Sequence, residues 1–229
     1  MVSSHGFRKL GRSAEAEVDG LRALGAVVRV PRILEHGADF VLLEQLDLKR
    51  SGDWSALARM LAALHRTTGP RFGWHTDNYI GATPQINSWR DDWSVFFKEC
   101  RLAPQLALAK KNGYAVEIHG ALKVLEGHKP KPSLLHGDLW AGNAGFINEG
   151  PVLFDPAVYY GDREADLAMT ELFGGFPSEF YRAYNEAWPL DEGYERRRPM
   201  YNLYHLLNHL NLFGGGYLGQ VKATLQLLR

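Results

Sequence analysis

The stretch LLHGDLWAGNAGF, Leu134 to Phe146, places Asp138 and Asn143 five residues apart, between an apolar entry and a Gly-rich exit. A second apolar segment ends in VLFDPA, so that Asp155 follows it after the turn residues NEGP. Apolar segments of this length, separated by turn residues, predict short strands. We therefore expect three oxygen-bearing side chains to lie at the ends of neighbouring strands.

This order of side chains matches what phosphoryl transfer from ATP requires. A carboxylate must accept or orient the proton of the attacking hydroxyl, and oxygen ligands must hold Mg²⁺ against the phosphates. Kinase catalytic loops carry an Asp, an Asn five positions later and a further metal-binding Asp beyond it. We predict Asp138 as the base, Asp155 as the main magnesium ligand and Asn143 as the second. The alternative is that both Asp are ordinary turn residues and that Asn143 takes a left-handed turn conformation.

Composition excludes several classes of protein. The chain has 229 residues, of which 45% are hydrophobic and 23% charged, as in ordinary globular proteins. Its 26 basic and 26 acidic residues balance, so no net charge attracts nucleic acid or an anionic membrane. The single cysteine, Cys100, excludes an intramolecular disulfide. No apolar run reaches the ~18 residues of a membrane span, and the N-terminal residues resemble no signal peptide. We expect a cytoplasmic protein.

Hydrophobic periodicity predicts a mixed α+β chain. Residues 13–24 have the pattern of a helix with Val18, Leu21 and Leu24 on one face. Apolar segments on either side of HGAD predict a hairpin that ends near residue 43. DWSALARMLAALHRTT predicts an amphipathic helix, with Ser51 or Asp53 as its N-cap. Beyond residue 90 the pattern is mainly helical, except for the strand-like stretch around Asp138.

The predicted organisation has two parts. Charge and Gly interrupt the apolar pattern in DLKRSGD, residues 47–53. We place the boundary there, with residues 1–48 as a reduced, β-containing N-terminal lobe and residues 49–229 as a helical C-terminal lobe. The C-terminal lobe carries the predicted catalytic loop and metal site.

The segments LLHGDLWAGN and FDPAVYYGDREADLAM resemble the fructosamine kinases, also called ketosamine kinases. The long stretch from Arg71 to Ala109 is also similar, and the resemblance covers most of the chain from about residue 15. It implies a two-lobed fold like that of protein kinases, shared with aminoglycoside and choline phosphotransferases. It also implies ATP-dependent phosphorylation of the sugar 3-hydroxyl of a ketosamine, free or protein-bound, with release of the amine and repair of glycated protein as the outcome.

The resemblance also suggests which residues bind the acceptor. Trp140 lies two residues beyond the predicted base, where an indole offers a sugar or an amine an apolar platform, although a packing role is the alternative. GWHTDNYIG concentrates three polar side chains that either close over the acceptor or form a surface turn. These are His75, Asp77 and Asn78. The stretch YYGDRE, which contains Asp162, is expected to border the acceptor cleft.

Two further residues are assigned structural roles. His136, beside the predicted base, is expected to brace the loop backbone through hydrogen bonds rather than to transfer protons. In similar kinases the Asp of the DLA element supports the catalytic loop, and Asp166 matches it here. Acidic residues in the first turn of a helix also complement the helix dipole, which is a purely structural explanation.

The resemblance places the nucleotide between the lobes. Glu44, Gln45 and Leu46 end the second strand of the hairpin, where backbone groups of this fold bind adenine. Related enzymes also have a strand Lys that grips the phosphates and pairs with a helix Glu. Glu17 matches that Glu, and Lys9 is the nearest candidate for the Lys, although it lies only eight residues before Glu17.

The sequence departs from the family pattern before Lys9, where no Gly-rich loop is found. Either the chain is shorter than related enzymes, or Lys9 performs the phosphate-binding role in an altered setting, or nucleotide binding is impaired. We therefore expect weak or absent activity, and self-association through exposed strand edges of the N-terminal lobe. The alternatives are a kinase of aminoglycosides, choline or another small alcohol, and an inactive nucleotide-binding protein with a kinase fold.

Overall fold

The computed structural model describes residues 6–11, 13–118 and 120–228. The N-terminal part is a three-stranded antiparallel sheet with one helix. Its elements are β1 (Gly6–Leu10), α1 (Ala14–Gly25), β2 (Ile33–His36) and β3 (Phe40–Glu44), and the strand order is β1-β3-β2. The predicted helix and hairpin are thus confirmed, and β1 is an addition that the apolar pattern did not predict.

Helix α1 packs on this sheet through the face predicted from its periodicity. Val18 and Leu21 form a small apolar cluster with Val41 and Leu43 of β3, whereas Leu24 joins the main core. All five of these side chains are almost fully buried. Because α1 contacts both clusters, it connects the small sheet to the rest of the molecule.

The main core lies in the helical part. The helices are α2 (Trp54–His65), α3 (Trp93–Phe96), which continues through a π-helical turn (Phe97–Leu102) into α4 (Ala103–Lys111), then α5 (Arg163–Leu172), α6 (Ser178–Ala187), α7 (Tyr194–Phe213) and α8 (Leu218–Leu227). Asp53 caps α2 by accepting a hydrogen bond from the Ala56 N–H, as one of the two predicted caps. No helix within the described ranges is long and apolar enough to cross a membrane.

Within the described residues, three two-stranded sheets interrupt the helices. They are β4 (Asn78–Ile80) with β5 (Thr83–Gln85), β6 (Ser133–Leu135) with β9 (Tyr159–Gly161), and β7 (Ala144–Ile147) with β8 (Gly150–Leu153). Strands β6, β7 and β8 lie in the strand-like stretch predicted around Asp138, whereas β9 follows that stretch and was not predicted. The β7–β8 hairpin has its turn at residues 148–149, as NEGP predicts. The loops that follow β6 and β8 carry Asp138 and Asp155 into one region.

The β4–β5 hairpin differs from the sequence-based expectation of a polar loop at residues 75–81. Asn78, Thr83 and Gln85 face inward and are almost fully buried. The Asn78 and Gln85 side chains hydrogen-bond to each other and to backbone carbonyls, so the inward face of this hairpin is largely polar. A polar buried face gives no apolar alternation, and the periodicity therefore did not show these strands.

Candidate active site

The loop after β6 is fastened to helix α5 by one buried carboxylate. The backbone N–H groups of His136 and Gly137 donate to Asp166 at 2.7 and 2.9 Å, and His65 Nε2 lies 3.1 Å from the same carboxylate. Burial opposes ionisation of Asp166, but these hydrogen bonds and the charge of His65 hold its pKa below the usual range. Asp166 therefore stays ionised and fixes the loop backbone.

His136 connects this loop to the loop that follows β8. Its Nε2 lies 2.9 Å from the Phe154 carbonyl oxygen, and its Nδ1 accepts from the Asp138 N–H at 3.3 Å. These partners imply a neutral ring with the proton on Nε2. The ring is fully buried, and burial lowers the pKa of His136 accordingly. The two loops are thereby held in a single arrangement.

Gly137 allows the two loops to approach closely. Its φ is +83°, and a Cβ at this position would lie 2.0 Å from the Ala157 carbonyl oxygen. No side chain fits at that distance, so the close contact requires glycine. Asp155 also has a positive φ, 56°, which is uncommon for a residue other than glycine.

Asp138, Asn143 and Asp155 converge on one cavity of about 270 Å³. We call it the central cavity. Asn143 Nδ2 donates to the Asp138 carbonyl at 2.8 Å, and it lies 3.3 Å from Asp138 Oδ2. Burial raises the pKa of Asp138 to about 7; the Asn143 hydrogen bond opposes the rise, and the charges of Asp166 and Asp155 add to it.

Lys9 and Glu17 also line the central cavity. Lys9 Nζ lies 2.8 Å from Glu17 Oε1 and 2.5 Å from Asp155 Oδ1. Burial lowers the pKa of Lys9, but its hydrogen bonds and ion pairs with these two carboxylates outweigh this and raise it. The short sequence separation is accommodated because β1 leads directly into α1, so the strand Lys and helix Glu pair as the resemblance predicts.

Trp140 and Asn78 also line the central cavity. The indole is 41% exposed, and its ring lies over Gly142, where a Cβ would come within 2.3 Å of it. Asn78 is held from within the protein, since its amide donates to the Val158 carbonyl at 2.8 Å and its Oδ1 accepts from Gln85. Both residues are therefore brought to the cavity predicted for the acceptor.

Two residues predicted to contact the acceptor do not line the central cavity. His75 Nε2 lies 3.3 Å from Asp19 on helix α1. Asp77 Oδ1 accepts from the Asn87 N–H at 2.7 Å and so closes a turn. The sequence analysis grouped His75 and Asp77 with Asn78 because all three lie in one short polar stretch. In the structure their side chains contact other residues instead.

Asp162 also lies outside the central cavity, in a buried polar cluster. It caps α5 and accepts from Tyr201 at 2.5 Å and from His128 at 2.7 Å. One ligand atom from each of His128, Asp162 and Glu164 lies within 4.8 Å of the others, a grouping that suits a metal ion. However, Glu164 already binds Arg197 through both oxygens, at 2.6 and 2.7 Å. Protein groups therefore satisfy this cluster.

A second cavity of about 290 Å³ lies beside the predicted nucleotide-binding segment. Glu44, Gln45 and Leu46 line it together with mainly apolar neighbours, and Asp155 lines both this cavity and the central one. We call it the apolar cavity. The other residues that line it are Phe7, Pro31, Leu43, Leu48 and Phe154. The two cavities thus meet at Asp155.

Several cavity-lining residues were not predicted from the sequence. Tyr79 and Gly81 follow Asn78 in the stretch GWHTDNYIG, and Phe7 lies two residues before Lys9 in β1. For Phe7 the signal was the strand that the resemblance assigns to Lys9, because residues two apart along a strand share a face. Tyr79 had no comparable signal, since β4 itself was not predicted.

Comparison with known proteins agrees with this geometry. The sequence model of the family described as "Fructosamine kinase" matches residues 8–229. A protein of Synechocystis named "Probable ketoamine kinase" is 48% identical over 227 residues, which cover 93% of this chain and 77% of that protein. The protein named "Protein-ribulosamine 3-kinase, chloroplastic" of Arabidopsis thaliana is 42% identical over 223 residues, covering 89% and 68%.

Solved structures show the same relationship. A crystal structure named "Putative fructosamine-3-kinase" from Haemophilus somnus matches with a TM-score of 0.89 and 33% identity, over 96% of this chain and 82% of that one. A choline/ethanolamine kinase family protein from Mesorhizobium loti matches with a TM-score of 0.62 and 14% identity, over 99% and 87%. At that identity the second match shows the fold alone, which is the two-lobed kinase-like fold predicted from the sequence.

Proposed function

Because this chain belongs to the fructosamine kinase family, we propose that it transfers the terminal phosphoryl group of ATP to the sugar 3-hydroxyl of a ketosamine. The observation that carries the proposal is the convergence of Asp138, Asn143, Asp155 and the Lys9–Glu17 pair on one cavity. Phosphorylation at this position makes the adduct unstable and frees the amine, so the outcome is repair of glycated amines, free or protein-bound. We further propose that the protein acts in the cytoplasm.

ATP is proposed to span the two cavities. Backbone groups of Glu44, Gln45 and Leu46 would bind adenine in the apolar cavity, as they do at the equivalent position of this fold. Lys9 would then contact the phosphates near Asp155, where the cavities meet. Glu17 holds the ammonium there, since the two side chains form an ion pair at 2.8 Å. A cation at this position stabilises the charge that develops on the transferred group.

The donor set around Asp155 fits a magnesium ion. Its carboxylate is 43% exposed and faces the central cavity, and Asn143 donates its amide N–H inward, which leaves the amide oxygen as an acceptor. Mg²⁺ prefers such oxygen ligands and few of them from the protein. Asp155 and Asn143 would hold the ion, and the ion would neutralise phosphate charge when bound.

Asp138 is proposed as the base. Its raised pKa, about 7, suits a group that must be ionised before the reaction and protonated after it at neutral pH. The carboxylate takes the proton of the 3-hydroxyl as that oxygen forms its bond to the terminal phosphorus, and the bond from phosphorus to the bridging oxygen breaks to release ADP. Asn143 and the loop held by Asp166 and His136 keep the carboxylate in place.

Trp140 is proposed to bind the acceptor. Its exposed indole borders the central cavity two residues beyond Asp138. An aromatic face there packs against the apolar face of a sugar and attracts the protonated amine of a ketosamine. Asn78 lines the same cavity, but its side chain is already hydrogen-bonded within the protein. We therefore propose that Asn78 forms part of the cavity wall rather than binding the acceptor.

The two alternatives are less well supported. Proteins related to aminoglycoside and choline kinases match at only 14% identity, which extends to the fold but not to the acceptor. The Lys9–Glu17 pair at the cavity supports a phosphate-binding kinase rather than an inactive protein with the same fold. The geometry of this pair also weighs against the weak or absent activity that we expected from the sequence.

ADP release in a coupled assay tests the proposal. Wild-type protein with ATP, Mg²⁺ and a fructosamine or ribulosamine is expected to release ADP only when the ketosamine is present. Asp138→Asn should lower kcat by roughly a hundredfold or more, because a positioned base contributes that much. Asp91→Asn, at an exposed carboxylate, is the matched control and should keep wild-type turnover. Unchanged turnover in Asp138→Asn would reject the assigned base.

A further inference from the structure

Helix α1 is attached to the helical part of the molecule on the side opposite Glu17. Asp19 Oδ2 accepts a hydrogen bond from Trp74 Nε1 at 2.7 Å, and Asp19 Oδ1 lies 3.3 Å from His75 Nε2. Residues two apart in a helix point about 200° away from each other. Glu17 therefore faces Lys9, while Asp19 faces the segment that contains Trp74 and His75.

The segment that receives Asp19 is itself firmly held. Gly73 exchanges two backbone hydrogen bonds with Tyr160 of β9, at 3.0 and 2.8 Å, and the Trp74 N–H donates to the Asn87 carbonyl at 2.9 Å. The Trp74 ring is almost fully buried and packs 5.2 Å from the Tyr160 ring. Because the segment that contains Trp74 and His75 is fixed to the rest of the protein, its contacts with Asp19 can restrain helix α1.

A third contact lies between these two attachments. A Cβ at Gly20 would come within 3.1 Å of Pro156, so the backbone of α1 lies directly against the residue that follows Asp155. The Lys9 and Glu17 side chains are 28% and 12% exposed, and one ion pair does not by itself fix a whole helix. The position of Glu17 therefore also depends on the packing of α1 and on the contacts of Asp19.

We propose that Asp19, through Trp74 and His75, is a positioning residue that fixes helix α1 so that Glu17 holds Lys9 at the phosphate-binding position. This role rests on the proposed function for its effect on turnover, although the effect on Lys9 itself does not depend on catalysis. His75, which the sequence suggested as an acceptor ligand, would then help to position helix α1 at the nucleotide site.

Acylation of Lys9 tests the positioning without any need for activity. The variants are Asp19→Ala, Asp19→Asn and Trp74→Phe, with Ser55→Ala as the matched control. Ser55 Oγ donates to Glu179 at 2.8 Å and so links two helices remote from the site. Relative to Lys222, Lys9 of Asp19→Ala should react about threefold faster with an amine-reactive reagent, because loss of an ion pair frees its amine. Ser55→Ala should react as wild type. Unchanged acylation of Lys9 in Asp19→Ala would overturn the proposal.

Steady-state kinetics provide the second test. Asp19→Ala should lower kcat/KM for ATP by roughly tenfold and leave KM for the ketosamine unchanged. Asp19→Asn should show a smaller loss than Asp19→Ala, since its amide oxygen still accepts a hydrogen bond from Trp74. In a Glu17→Ala background, where Lys9 has already lost its partner on helix α1, Asp19→Ala should cost less than about twofold. A full, additive loss in that background would show a general structural role and reject the positioning role. If wild type has no turnover, the proposed function fails and the acylation result alone decides.

Discussion

Asp138 combines two properties that ordinarily exclude each other, burial and a required negative charge. Its pKa is raised to about 7, mainly by burial; the Asn143 amide opposes the rise, and the charges of Asp166 and Asp155 contribute to it. An ionised carboxylate in this setting costs free energy of folding. Residues at functional sites often lower the stability of the fold in this way, because they are required for the reaction rather than for folding.

The first prediction concerns this cost in the metal-free protein. The carboxyl of Asp138 ionises near its ordinary pKa of 3.8 in the unfolded chain and near 7 in the folded one, so folding is penalised fully above pH 7 and not at all below about 4. Asp138→Asn removes the penalty. We expect its unfolding temperature to exceed that of wild type at about pH 8, with a gain that disappears toward pH 4. A gain that is independent of pH in thermal unfolding scans would contradict the raised pKa.

The second prediction concerns Trp140 and the choice of acceptor. Trp140→Ala removes the aromatic wall beside Asp138 and should raise KM for the ketosamine by roughly tenfold while KM for ATP stays the same. Trp140→Phe, which keeps an aromatic face, should recover part of the loss. Steady-state kinetics with each substrate varied in turn measure both. Equal changes in the KM values for ketosamine and ATP would show that the indole does not bind the acceptor selectively.

Spacing in the sequence predicted some site residues and misplaced others. Asp138, Asn143 and Asp155 were predicted because kinase chemistry fixes their separation along a loop and a hairpin, and the structure brings them to one cavity. His75 and Asp162 were grouped with the acceptor only because they were polar and near it in the sequence. The direction of the His75 side chain depends on Asp19, and that of Asp162 on Tyr201. Both partners are distant in the sequence, so the local pattern gives no information about them.

At the scale of elements, the loop between β6 and β7 depends on one backbone conformation. The third prediction compares two glycines with similar positive φ, Gly137 at +83° and Gly127 at +76°. A Cβ would collide with the Ala157 carbonyl at Gly137 but would meet nothing within 4 Å at Gly127. Gly137→Ala should lower the free energy of unfolding by about 3 kcal/mol or more, and Gly127→Ala by about 1 kcal/mol. Chemical denaturation measures both, and equal losses would contradict the close approach.

The elements were predicted where an apolar pattern was present. Helix α1, the β2–β3 hairpin, helix α2 and the β7–β8 hairpin all showed such a pattern, and the structure confirms each of them. The β4–β5 hairpin has a buried face of hydrogen-bonded amides, and β1 has mainly exposed residues. Neither has an apolar face that alternates along the strand. Their positions follow from pairing with distant segments, which a local pattern does not reveal.

At the scale of the whole molecule, the N-terminal sheet exposes apolar residues at its outer strands. Phe7 and Leu10 of β1 are 51% and 76% exposed, and Leu34 of β2 is 51% exposed. Among the described strands, β1 and β2 are the two edges of this sheet. Unprotected edges of this kind pair with other chains. The boundary between the two lobes, near residue 48, stays a prediction.

The fourth prediction is that the protein self-associates through this sheet. Sedimentation should show a mass that increases with protein concentration, and Leu10→Lys should reduce the increase, because a charge on an edge strand opposes pairing. The matched control is Leu227→Lys, which places the same charge at a similarly exposed position on helix α8. A mass that stays that of a single chain at all concentrations, or equal effects of the two substitutions, would contradict association through β1.

The most direct test of the proposed function is the position of the phosphate in the product. Wild-type protein, ATP, Mg²⁺ and a ketosamine are incubated together, and the product is examined by two-dimensional ¹H–³¹P NMR spectroscopy. The predicted result is a new phosphomonoester signal that correlates with the proton on C3 of the sugar and is absent with Asp138→Asn. A phosphate on any other hydroxyl, or ADP formed with no phosphorylated sugar, would contradict the assignment as a ketosamine 3-kinase.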